Sequence, residues 1–139
     1  MARQANEFRR TRTTGFWLAA AVAVLQGVNA IRTVLDPTGF ATYMGLPADQ
    51  PSALSWVQVY GLRAGFIALL TAVLLARSEF AALRWMALAA LLMPIGDAWL
   101  AADAGAGLPI VGRHLGIALF LLVTSHFLGR AARTRGQEQ

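Results

Sequence analysis

Arg63, Asp97 and His114 are among the side chains that carry charge or titrate while set in strongly apolar surroundings. An aspartate and a histidine in reach of one another can exchange a proton, because imidazole gains and loses one near neutral pH. A guanidinium beside them can hold a developing oxyanion or orient the carboxylate. The chemistry such a set supports is proton transfer, as in isomerisation, cyclisation or hydrolysis, with Asp97 and His114 as the candidate catalytic pair. A plainer account stands beside it. Arg63 and Asp97 each face a large cost if left unpaired in a low dielectric, so they are expected within salt-bridge reach, where they would simply lock helix register. His114 likewise serves as an ordinary structural donor. Asp103 is expected to meet Arg113 or Arg32 nearer the surface.

Asn29, Tyr60, Arg63 and Arg113 are the candidate ligand-binding residues, with Gln58 as a further donor. Donors outnumber acceptors in this set, which suits a carboxylate, phosphate or polarised carbonyl on an otherwise apolar molecule. No cofactor and no metal are expected. The lack of cysteine removes thiolate catalysis and Cys-ligated zinc or iron–sulfur centres. His114 and His126 lie about 18 Å apart along one helix by the rise per residue, too far to share a metal. No nucleotide motif supports redox or kinase chemistry.

What must position these residues is a membrane-embedded scaffold. Of the 139 residues, 57% are hydrophobic and only 14% are charged. The apolar residues fall in four runs of bilayer length, about 14–35, 54–76, 80–102 and 108–128. The expected architecture is one all-α domain over residues 1–139, a four-helix transmembrane bundle running up-down-up-down. The first run has the profile of a signal peptide, with a basic lead and small residues at Val28-Asn29-Ala30. With Met1 ahead of it, the segment is expected to stay in the chain. Residues 36–52 carry Pro37, Gly39, Gly45, Pro47 and Pro51 and read as a broken, amphipathic loop on the membrane surface, a candidate lid. The turn Arg77-Ser78-Glu79 is so short that the second and third helices must be antiparallel neighbours. Pro109, after the turn Ala104-Gly105-Ala106-Gly107, suits the first turn of the fourth helix.

The net charge is +5 and every permanently basic side chain is Arg. In a soluble chain that balance points to nucleic acid. Here the clusters flank the apolar runs instead: Arg3, Arg9, Arg10 and Arg12 before the first, Arg130, Arg133 and Arg135 after the last. Such clusters set topology and touch anionic head groups, so no nucleic-acid partner is expected. Together with Arg77 and Arg84 they place both termini in the cytoplasm, in the inner (plasma) membrane.

Depth then separates the polar residues from the rest. Gln26, Asn29 and Arg32 recur every three residues in the outer half of the first helix. Gln58, Tyr60 and Arg63 fall in the outer half of the second, Asp97 and Asp103 late in the third, Arg113 and His114 early in the fourth. All meet at roughly 4–10 Å above the midplane by helical rise. The inner halves are nearly pure Leu, Ala, Val and Phe, and their exceptions, Thr71, Thr124, Ser125 and His126, can bond their own helix or reach the interface. Pro94 removes the bond to the Ala90 carbonyl and predicts a kink, either a plain packing feature or one that opens room beside Asp97. The expectation is a cavity bounded by Asn29, Tyr60, Arg63, Asp97 and His114, closed below and lidded by the 36–52 loop. A bundle that uses these groups only for packing would have them satisfy one another with no space between.

A weak internal repeat places Gly61-Leu62-Arg63-Ala64-Gly65 and Gly112-Arg113-His114-Leu115-Gly116 early in the second and fourth helices. Glycines four apart let a neighbouring helix come close. Three runs, Tyr60-Gly61-Leu62-Arg63, Pro94-Ile95-Gly96-Asp97-Ala98 and Arg113-His114-Leu115-Gly116, resemble a family of small four-helix membrane proteins of bacteria and fungi, catalogued as a domain of unknown function. The Asp36-Pro37 and Gly45-Leu46-Pro47 loop is similar to that family's first loop. The resemblance spans about residues 15–128. It implies the four-helix fold and the choice of Arg63, Asp97 and His114, and no activity. Two function classes follow: a protein that binds, or by acid–base chemistry converts, a small amphipathic or lipid-like molecule, and an accessory or structural membrane subunit. Membrane lipids and a homo-oligomeric or other membrane-protein partner are compatible with both. A transporter would need a polar path through the inner half, which the sequence does not have.

Overall fold

The computed structural model describes residues 13–46, 48 and 50–136. Arg3, Arg9, Arg10, Arg12 and Pro47, named above, lie outside the described residues. The described chain is all α: α1 (Thr14–Leu35), α2 (Pro37–Met44), α3 (Pro51–Ala76), α4 (Phe80–Ala89), α5 (Leu92–Asp103) and α6 (Leu108–Gly136). Four stretches are long and apolar enough to cross a membrane: α1, α3, α4 with α5, and α6. Large apolar side chains cover the outside, including Leu62 at 75% exposure and Leu108 at 86%. In water such a surface would aggregate; facing lipid it costs nothing.

α1 lies along α3, and α6 lies along α4 and α5. Contact between α1 and α6 joins the two pairs. Between α1 and α3, Gly61 has a hydrogen in place of a side chain and so leaves room for Thr33, a fully buried residue. The start of α1 and the end of α6 gather with the α3–α4 turn, where Ala19, Leu75, Phe80, Leu83, Leu128 and Ala131 form a buried apolar cluster. This is called the tail end here, and the opposite one the capped end.

Three features differ from the expected layout, each for a local reason. Part of the segment read as a loop is the helix α2. Asp36 caps it by accepting a hydrogen bond from the Gly39 N–H at 2.9 Å, Pro37 occupies its first turn, and Gly45 ends it at φ 82. The third span is two helices rather than one. Pro94 cannot donate to Ala90, whose carbonyl accepts instead from Met93 at 3.1 Å, and the helix is interrupted at Ala90 and Leu91. The fourth helix runs on to Gly136, past its apolar stretch.

The break decides the shape of the capped end. α4, before it, touches α1, α3 and α6, whereas α5, after it, packs on α6 and scarcely meets α3. The space so left between the second and third spans is roofed by α2, which packs on both α1 and α3.

Candidate ligand pocket

Under α2 lies a cavity of about 50 Å3. A water takes roughly 10–15 Å3 by this measure, so the space suits a few waters or one small polar group rather than a whole lipid head. Its polar lining comes from every span: Gln26 and Asn29 of α1, Tyr60 of α3, Asp97 of α5, and Arg113 and His114 of α6, with Tyr43 and Met44 from α2 above. Met93, Ile117, Phe120 and Leu121 supply apolar wall.

Two of these groups are tied to the roof. His114, 1% exposed, places Nε2 at 3.1 Å from the Met44 carbonyl. A carbonyl can only accept, so Nε2 carries the proton and Nδ1 is the ring nitrogen left to take one up. Arg113 donates from a terminal guanidinium nitrogen to the Tyr43 carbonyl, and its guanidinium lies over the Tyr43 ring at 3.6 Å. Arg32 lies over the same ring at 4.5 Å, so one aromatic carries a cation on each of two neighbouring helices. Gly45 is essential to this seam. A side chain there would run into Ile110 at 2.7 Å and Ala101 at 3.3 Å, on top of the left-handed backbone.

The other groups converge without bonding one another. Among the described residues, no hydrogen bond joins the side chains of Asn29, Tyr60 and Asp97 to any partner. Asp97 is within electrostatic range of His114, and Tyr60 of Asp97. Gln26 and Arg113 line the cavity, and Gln26 Oε1 and Arg113 Nε are buried with no hydrogen-bond partner. Buried polar atoms are rarely left so.

Of the six residues singled out from sequence, five line the cavity: Asn29, Tyr60, Asp97, Arg113 and His114. Arg63 does not. It is exposed on α3, and no described carboxylate pairs with it, so the expected Arg63–Asp97 salt bridge is absent. The reason is azimuth: Tyr60 on the same helix faces Asp97 across the cavity, whereas Arg63 lies on the outward face of α3. Asp103 is exposed and pairs with neither Arg32 nor Arg113, whose guanidinium groups are engaged with Tyr43. Sequence reasoning passed over Gln26 as a lining group, although its spacing from Asn29 already put both on one helix face. It also passed over the backbone carbonyls of Tyr43 and Met44, which have no side-chain signature. Towards the tail end the polar exceptions are used locally: Thr71 donates to the Ile67 carbonyl at 2.7 Å and Thr124 to the Phe120 carbonyl at 2.8 Å.

Four apolar spans around a small polar cavity define a compact multi-pass membrane protein. The chain belongs to the family described as Domain of unknown function (DUF4267), whose model matches residues 20–128, a stretch that includes all of the cavity lining. No curated protein and no solved structure matches it.

Proposed function

We propose that this protein is a plasma-membrane protein with its four spans running up-down-up-down and both tails in the cytoplasm, and that it binds the polar end of a small amphipathic molecule in the cavity beneath α2. The observation that carries this reading is that Gln26, Asn29, Tyr60 and Asp97 face a shared space without satisfying one another. A purely structural set would close up, because unpaired buried polar groups are costly. Pockets for small molecules have this make-up, apolar walls with a few convergent polar groups. Conversion of the bound molecule would use Asp97 and His114 Nδ1 as proton donor and acceptor, with Arg113 holding the polarised oxygen.

The accessory-subunit reading draws support from a different observation. Arg113 and His114 fasten α2 to α6 and so do structural service already. Native mass spectrometry of the protein released from nanodiscs separates the two. The binding reading expects a retained small-molecule adduct that is lost in Asp97→Asn and in Tyr60→Phe and kept in Arg63→Leu. An adduct-free protein, or one whose adducts ignore all three substitutions, supports the accessory role. Reporter fusions test the orientation: one after Arg77 should read cytoplasmic, and one within residues 36–52 external.

A further inference from the structure

Arg63 takes no part in the cavity. It lies on the exposed face of α3, and among the described residues no hydrogen bond, ion pair or aromatic ring engages its guanidinium. α3 runs for 26 residues, Pro51–Ala76, and Arg63 stands at its middle, roughly 18–20 Å from either end by helical rise. In a hydrocarbon core about 30 Å thick, a climb of roughly 12–15 Å then separates it from either head-group layer. Long basic side chains snorkel to the head groups from near helix ends, not from mid-span, so lipid phosphate does not reach this one. A charge at this depth belongs in a bundle interior or beside a counter-charge, because hydrocarbon solvates it poorly. Arg63 has neither within its own chain.

The residues around it form a packing surface. Trp56, Val59, Arg63, Phe66, Leu70 and Val73 recur at alternating intervals of three and four, so they fall in one stripe along α3. Trp56, Phe66 and Val73 are exposed with Arg63. This is the spacing of a seam on which two helices cross at a shallow angle.

We propose that this stripe of α3 docks a transmembrane helix of another protein, one that carries an Asp or Glu at mid-bilayer depth to pair with Arg63. Two parallel N–H···O bonds between guanidinium and carboxylate would neutralise both charges where neither is tolerated alone. The apolar residues on each side of Arg63 supply the packing that holds such helices together. A second copy of this chain does not meet the need. A twofold dimer with its axis along the membrane normal lays the stripe against itself and sets Arg63 against Arg63. The described carboxylates on the protein surface, Asp36, Glu79 and Asp103, all stand at helix ends. The inference goes beyond the binding reading and does not lean on it, since Arg63 is no part of the cavity lining.

Model peptides test the chemistry. The full chain is reconstituted in vesicles of phosphatidylcholine alone, and energy transfer is measured to a Leu/Ala transmembrane peptide with a single central Glu, or with Leu in its place. The Glu peptide should associate about fivefold to thirtyfold more tightly than the Leu peptide, the range of an interhelical polar bond, and Arg63→Leu should erase the difference. Arg63→Glu should reverse the preference, towards a peptide with a central Arg. A photoreactive residue in place of Phe66 then identifies the occupant in the native membrane. The expected crosslink is to a span that holds an Asp or Glu, and it is lost when that acid is replaced by Leu. Crosslinks confined to lipid or to a second copy overturn the inference, as does a Glu peptide that binds the Arg63→Leu variant as well as the native chain. The binding reading is decided separately, by the native adduct and its loss in Asp97→Asn and Tyr60→Phe.

Discussion

At the tail end, Ala19, Leu75, Phe80, Leu83, Leu128 and Ala131 close on one another with no polar side chain among them. At the capped end, Gln26, Asn29, Tyr60 and Asp97 line a space and leave one another unbonded. The third span passes through both regions and behaves differently in each. Its first half, α4, sits in the bundle against three neighbours; its second half, α5, packs chiefly on α6. The contrast shows where hydrogen-bonding capacity is handled. Thr71 and Thr124 bond within their own helices and present hydrocarbon outward, so the helices around them close to within a small apolar void of about 30 Å3. The side chains of Asn29, Tyr60 and Asp97 make no such bond to their own turn and line a space between the helices instead.

The strongest attack on this contrast is at the tail end. Leu83→Ala removes a side chain from a closed apolar cluster with nothing to fill the gap, and should cost about 2–5 kcal/mol. Chemical or thermal unfolding in detergent micelles measures it; a cost under about 1 kcal/mol would mean that the tail end is as loosely packed as the capped end. Gly61→Val comes next. The new side chain occupies the place of the Thr33 hydroxyl, and overpacking of this kind should cost about 1–3 kcal/mol and part α1 from α3. Gly116→Val is its control: nothing lies within 4 Å of that position, so unfolding should be unchanged.

His114→Leu sharpens the comparison from the capped side. It leaves the Met44 carbonyl without its donor and should cost about 1–3 kcal/mol, with α2 becoming accessible to hydrogen exchange while the α3–α4 turn region stays protected. If exchange rises equally throughout, the two ends unfold as one unit. The smallest effects belong to Asp97→Asn and Arg63→Leu. Neither removes a hydrogen bond or ion pair among the described residues, so both should leave the unfolding midpoint in place, and the Arg63→Leu/Asp97→Leu pair should be additive. A coupling between them would restore the salt bridge that the geometry does not contain.

The sequence carries the four spans plainly, because twenty-odd apolar residues in a row leave few alternatives to crossing a bilayer. It also carries the gathering of Asn29, Tyr60, Asp97, Arg113 and His114, because depth along a helix follows from residue number alone. What it does not carry is azimuth. Arg63 has the wrong face of α3, and only the rotation of that helix against its neighbours would show it. The helix α2 was legible in principle: an Asp followed by Pro and, eight residues on, Gly is a capped short helix, but the same Pro and Gly residues also read as loop punctuation. The pairing of Arg113 and His114 with two main-chain carbonyls was not legible, since an acceptor common to every residue leaves no mark on the sequence.

Arg113 and His114 reach the end of α2 across a separation of 70 residues. A chain synthesised from its N-terminus delivers α2 early and α6 last. Until α6 arrives, the terminal carbonyls of α2 have only water to bond, which holds that helix at the aqueous face while three spans are already inserted. A chain released before its fourth span therefore lacks both ties to the end of α2 and the wall that α6 gives the cavity. The cavity is completed in a single late event of biosynthesis, when the fourth span brings Arg113 and His114 to the end of α2.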